Sequence, residues 1–137
     1  MFITRECDYA ARVLRALSGE TRLSVNEICE KESITAPFAY KILKKLQKAG
    51  IVKGYRGVHG GYAMNRSLSE LTLFDVYRAI DPEMFIIECM APGYDCPTDG
   101  KGDHLPCYMH RELCEVQQGI WEMLKRKNLQ EVLMPEK

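Results

Sequence analysis

Tyr9, Ala10, Val13, Leu14 and Leu17 recur at three- and four-residue intervals, which predicts a helix from Arg5 to Ser18 with Thr4 as its cap and Gly19 as its stop. Ser24 followed by Glu27 predicts a capping box that opens a short second helix, with Val25, Ile28 and Cys29 on its inner face. After a turn through Glu32, Ser33 and Ile34, Thr35 caps a third helix that tolerates Pro37 in its first turn. Phe38, Ile42, Leu43 and Leu46 are spaced to face inward or toward the turn, and Gly50 closes the helix. The pattern then becomes extended. Ile51-Val52 and the run from Tyr55 to Met64 read as two short strands around a Gly-rich tip.

Thr72, with Asp75 three residues on, predicts a fourth helix through Leu73, Val76, Tyr77 and Ile80 to the break at Asp81-Pro82. From Cys89 to Pro106 the density of Gly, Pro and Asp argues against regular structure. Leu113, Val116, Ile120, Met123 and Leu124 then mark a long helix from about Leu105 to Lys127, whose narrow apolar seam suits packing on another helix. The expected fold class is therefore mostly α with a small β-hairpin wing: a winged helix-turn-helix followed by a long C-terminal helix. The length of 137 residues suits one integrated domain. Its regions are a winged helix-turn-helix over 1–66, a connecting helix and extended segment over 67–88, a cysteine-rich loop over 89–106, and the long helix with a C-terminal helix over 107–137. No apolar run approaches the roughly 18 residues of a membrane span, and the opening segment lacks signal-peptide features, so a cytoplasmic protein is expected.

The formal net charge is zero, but residues 1–66 hold 12 Lys/Arg against 6 Asp/Glu, whereas residues 67–137 hold 7 against 13. Between Ser33 and Ser69 there is no acid at all, while Lys41, Lys44, Lys45, Lys48, Lys53, Arg56 and Arg66 are all basic. Such a surface suits duplex DNA, because neutralising phosphates releases condensed counterions. In a helix-turn-helix the third helix enters the major groove, which points Thr35, Pro37, Phe38 and Lys41 at base edges. Lys44, Lys45 and Lys48 are expected at phosphates, and Arg56 and His59 of the hairpin in a minor groove. Gly57, Gly60 and Gly61 would let that hairpin approach closely. A merely solvated basic face is the bland alternative; the order of capped helices, acid-free stretch and Gly-rich wing weighs against it.

The segment Lys41-Ile42-Leu43-Lys44-Lys45-Leu46-Gln47-Lys48-Ala49-Gly50-Ile51-Val52, followed by Arg56-Gly57-Val58-His59-Gly60-Gly61-Tyr62, resembles the Rrf-type winged-helix repressors, the family of IscR and NsrR. The opening Thr4-Arg5-Glu6-Cys7-Asp8-Tyr9-Ala10-Ala11-Arg12 is similar to that family's first helix, so the resemblance covers nearly the whole chain. It implies a transcriptional repressor, a homodimer held by the long dimerisation helix, and a palindrome-like operator. It also supports Thr35, Pro37, Phe38, Lys41 and Arg56 as DNA contacts.

Four of the six cysteines, Cys89, Cys96, Cys107 and Cys114, lie in or beside the irregular loop. In a reducing compartment such a group reads as metal-binding or redox-active. Cys89, Cys96 and Cys107 stand at C-x6-C-x10-C, with His110 three residues beyond Cys107 at C-x2-H. Thiolates suit iron–sulfur clusters, a structural zinc ion, or metal-free thiol switching, and the residues alone leave all three open. The resemblance implies an iron–sulfur cluster, 2Fe-2S or 4Fe-4S, held by Cys89, Cys96 and Cys107, sensing redox state, nitric oxide or iron–sulfur supply. Cys114 is the alternative to Cys107, and His110 and Asp8 compete as fourth ligand. The spacing here is wider and less even than the family's, so cluster type stays open. Cys7 and Cys29 read as packing residues, Trp121, Met123 and Met134 as core or interface, and His104 as an exposed loop histidine.

No catalytic set or phosphate loop recommends an enzyme or a small-molecule substrate; Gly57-Val58-His59-Gly60-Gly61 lacks the strand-to-helix setting of a nucleotide site. A small electron-transfer iron–sulfur protein is the remaining alternative. It would leave the acid-free basic segment without a purpose.

Overall fold

The computed structural model describes residues 3–97 and 107–135. Its elements are α1 (Arg5–Leu17), α2 (Val25–Glu32), α3 (Ala36–Lys48), β1 (Val52–Tyr55), β2 (Gly61–Met64), α4 (Leu73–Ile80), α5 (Tyr108–Lys125) and α6 (Leu129–Leu133). This is the expected mostly α chain with a two-stranded hairpin. The expected start of the long helix at Leu105, the histidine at 104 and the loop over 98–106 fall outside the described residues.

The local signals explain the helix ends. Ser24 and Glu27 form the predicted capping box, with Ser24 Oγ accepting from Glu27 N at 3.2 Å and Glu27 Oε1 from Ser24 N at 3.1 Å. Thr35 stands at the N-cap of α3 without a side-chain cap bond, and Pro37 sits in the first turn. α3 closes in a Schellman arrangement: Gly50 has φ +76°, and Ile51 N donates to Leu46 O at 3.0 Å.

Leu14 and Leu17 of α1, Ile28 of α2 and Ile42, Leu43 and Leu46 of α3 form the centre of the core, joined by Leu71, Val76 and Leu129. Two expectations change. Phe38 is 40% exposed, its ring edge-on to Tyr9 at 5.7 Å, and Ala39 fills the buried position instead. Glu32, expected in a turn, is the last residue of α2 and is buried. The Arg15 guanidinium offsets that cost by forking onto its two oxygens at 2.9 and 2.5 Å, tying α1 to α2.

The hairpin pairs Val52 with Met64 and Tyr55 with Gly61 in antiparallel register. A third segment, not anticipated from the sequence, completes it: Leu23 and Tyr62 exchange backbone bonds of 2.9 and 2.7 Å. Close contacts within the fold account for two glycines without an approach to DNA. Gly61 has φ +143°, and a Cβ there would stand 2.5 Å from Leu23 O; one at Gly60 would stand 2.8 Å from Gly57 O. The wing packs against the Leu23 segment at Gly61 and closes on itself at Gly60.

α4 opens with the predicted box of Thr72 and Asp75. The chain then runs as a strap to a single 3-10 turn, Glu88–Met90, in a region where no regular structure was expected. α5 fastens the strap: Gln117 Oε1 accepts from Ile86 N at 2.9 Å, and Trp121 Nε1 donates to Met84 O at 3.2 Å. The Trp121 ring also meets Phe74 and Phe85, with centroids at 5.7 and 6.4 Å. Gln117 is the buried residue of α5, whereas Met109, Val116 and Met123 are all exposed. α6 returns to the head, burying Leu129 and donating from its backbone N to Leu71 O at 2.8 Å. No described helix is long and apolar enough to cross a membrane.

Gly61→Ala should lower stability by about 1–3 kcal/mol, since it adds both left-handed backbone strain and a clash with Leu23. Denaturant unfolding checks this, and an unchanged midpoint would mean that the Leu23–Tyr62 pairing does not constrain the wing.

Candidate nucleic-acid interface and cysteine centre

Burial of Ala39, Ile42, Leu43 and Leu46 turns the opposite side of α3 to solvent. Thr35, Pro37, Phe38, Lys41 and Lys44 are all exposed there. Tyr40, which the sequence reading passed over, is 57% exposed on the same side. Its offset of three from Pro37 and four from Lys44 was the available signal.

Two of the lysines are already engaged. Lys41 Nζ lies 2.5 Å from Glu6 Oε1, and Lys45 Nζ lies 2.9 Å from Glu6 Oε2 and 3.3 Å from the Ile80 carbonyl. The ammonium of Lys41 first, and of Lys45 second, holds the Glu6 carboxyl below its usual range. Lys45, expected at a phosphate, is thus half-buried and bonded within the molecule, because its stripe of α3 faces α1 and the end of α4. Lys44 and Lys48 remain exposed.

On the wing, Arg56 and His59 are exposed on either side of the tip. Arg22 braces that tip. Its guanidinium lies 3.8 Å from the centroid of the Tyr55 ring and donates to the His59 carbonyl. A lone arginine between two turn signals offered little in the sequence to reveal this role.

Two of the candidate thiols meet the His110 imidazole, and a third meets that residue's backbone N–H. Cys89, on the 3-10 turn, places Sγ 3.3 Å from His110 Nδ1, and Cys114 places Sγ 3.5 Å from His110 Nε2. Cys107 is the N-cap of α5, its Sγ accepting from His110 N at 3.4 Å. Cys114 joins because it sits one helical turn beyond His110. Cys96 is exposed near the end of the described part of the loop. Asp8 is engaged elsewhere, its Oδ2 pairing with Arg12 Nε at 3.0 Å.

The two thiols meet different ring nitrogens, so their contacts do not share a point. Among the described residues no three His, Cys, Asp or Glu side chains converge as a metal ion would require. In chemistry the set of thiols with an imidazole fits a soft-metal or iron–sulfur centre. Cys7 is fully buried, and Cys29 is half-buried with its thiol pushed up by burial, which keeps it protonated and a poor ligand.

A family model described as Rrf2, iron-dependent transcriptional regulator, matches residues 3–135. The chain is 37% identical over 100 residues to protein aau3 of Rhizobium meliloti (strain 1021), covering 71% of this chain and 65% of that one. It is 30% identical over 100 residues to the HTH-type transcriptional regulator NsrR of Geobacillus kaustophilus, covering 70% of this chain and 68% of that one. The solved structure of CymR, the global cysteine regulator of B. subtilis, superposes with a TM-score of 0.72 at 20% identity over 98% of each chain. The chain belongs to the Rrf2 family of transcriptional regulators. Its relatives are regulators and not enzymes.

Because the folded-state value of Glu6 lies below its unfolded value, its ion pairs stabilise the fold fully above the ordinary glutamate range. That contribution is lost as pH falls through the folded value. Glu6→Gln should therefore melt below the wild type at pH 7, with the gap closing on acidification. A gap independent of pH would show that the carboxylate charge is not what stabilises.

Proposed function

We propose that this chain regulates transcription from the cytoplasm as a DNA-binding homodimer, acting as a repressor whose affinity is set by an iron–sulfur cluster at the cysteine centre. The observation that carries the sensing half is the gathering of Cys89, Cys107 and Cys114 around His110, at the point where the strap meets α5. Cys89, Cys96 and Cys107 are the assigned ligands, with Cys114 as the alternative to Cys107 and His110 or Asp8 of a second copy as the fourth. A bound cluster would supply a redox- and nitric oxide-reactive centre. An imidazole or carboxylate is released more readily than a thiolate, which suits a fourth position that responds.

The DNA-reading half rests on the outward side of α3. Thr35, Pro37, Phe38 and Lys41 would face base edges and Lys44 phosphate, while Arg56 and His59 enter a minor groove. Lys41 and Lys45 would both reach DNA only after leaving Glu6. The dimer reading rests on Met109, Leu113, Val116, Ile120 and Met123, which alternate at four and three residues along a largely uncovered face of α5. Two recognition helices related by a two-fold axis would require a palindrome-like operator.

The strap supplies a route between the two halves. Gln117 and Trp121 clamp Met84 and Ile86, a few residues before Cys89 and a few after Ile80, whose carbonyl holds Lys45. A change in how Cys89 and His110 are held therefore reaches α4 and the flank of α3 through bonded neighbours.

Protein purified without oxygen should be coloured and contain iron and acid-labile sulfide, and Cys89→Ser should lose both. Zinc in their place would establish a structural zinc site, and no metal at all would leave a thiol switch. Removing the cluster should change affinity for an operator by at least about fivefold, the lower end of ordinary allosteric coupling; equal affinities would end the sensing proposal. Val116→Asp should give a monomer by sedimentation, and an unaltered dimer would move the interface off this face of α5.

A further inference from the structure

We propose that Glu6 is an internal phosphate mimic that withholds Lys41 and Lys45 from DNA and so lowers sequence-independent affinity, an inference that rests on the DNA-binding reading. Lys41 and Lys45 lie one turn apart on α3, and the two oxygens of a single carboxylate from α1 reach both, at 2.5 and 2.9 Å. The Glu6 side chain is only 20% exposed, so solvent screens these pairs less than ordinary surface pairs. The lysine side chains are 58% and 36% exposed, so both can swing to a phosphate if released.

The acid-free stretch from Ser33 to Ser69 contributes no anion of its own to this surface. Glu6 brings one in from another helix. Two cations sharing one anion present one net charge where two stand in the sequence. Each lysine withheld removes one released counterion from the binding reaction, and that loss is the same on every DNA sequence. Glu6 thereby lowers the background against which operator contacts are read, which makes it a specificity-determining residue acting through Lys41 and Lys45.

The test measures binding of the full chain to a random-sequence duplex of about 30 base pairs by fluorescence anisotropy, with salt varied from about 0.05 to about 0.2 M. Glu6→Gln keeps the size of the side chain and removes its charge. It should steepen the plot of log affinity against log salt by about 0.9, one phosphate's worth, and tighten binding at about 0.1 M salt roughly tenfold. Adding Lys41→Gln should take back about 0.9 of that slope. Glu6→Ala, a second variant that removes the same charge, should steepen the slope by the same amount. Equal slopes for wild type and Glu6→Gln overturn the proposal while leaving DNA binding intact. Weaker binding by folded Glu6→Gln also overturns it, by showing that Glu6 positions the lysines for DNA. If no folded variant binds DNA at the lowest salt, the DNA-binding reading fails and this inference fails with it.

Discussion

Ala39, Ile42, Leu43 and Leu46 of α3 are sealed in the core with α1 and α2, and that burial leaves the opposite side of the same helix facing solvent. Burying each of the larger aliphatic side chains contributes about 1.5–3 kcal/mol, so the helix cannot roll to present another face without losing most of its fixation. The side left outward carries Thr35, Pro37, Tyr40 and Lys44, with Lys41 at its edge. Rotating α3 back by one residue would put Lys41 and Lys45 where Ile42 and Leu46 are buried. The polar surface is therefore held as firmly as the core beneath it.

The wing and the strap hang from this same core in different ways. The wing is locked by backbone, because Leu23 pairs with Tyr62 and leaves no room for a side chain at Gly61. The strap is held by side chains, through one glutamine oxygen and one indole N–H. Two such hydrogen bonds contribute about 1–3 kcal/mol in total, beside the burial of Met84 and the contact of the Phe85 and Trp121 rings. The wing is thus fixed by backbone pairing and the strap beside the thiols by side-chain packing. The C-terminal helix limits how far a disturbance spreads, since Leu129 is buried in the same core.

What the sequence revealed follows from the range of the interactions involved. Ser24 with Glu27, Thr72 with Asp75 and the glycine after α3 act within a few residues, and each marked its helix end correctly. The helical spacing of Leu14, Leu17, Ile42 and Leu46 likewise located the core. Phe38 misled because spacing cannot distinguish a core position from an edge contact with Tyr9. Contacts between distant segments left no local trace: Leu23 with Tyr62, Arg22 with Tyr55, Gln117 with Ile86, and Glu6 with Lys41 and Lys45. The cysteine spacing drew attention to Cys89 and Cys107. Only the helical turn from His110 to Cys114 made that fourth cysteine their neighbour.

The central claim is that the cysteine centre and the recognition helix are joined through the strap from Asp81 to Glu88. Amide hydrogen exchange, compared between cluster-loaded protein and the same protein after chelation, measures that joint most directly. The account predicts altered protection at Ile86 and along the C-terminal turn of α4, with α2 unchanged. Identical exchange through the strap and α4 in the two states would contradict it.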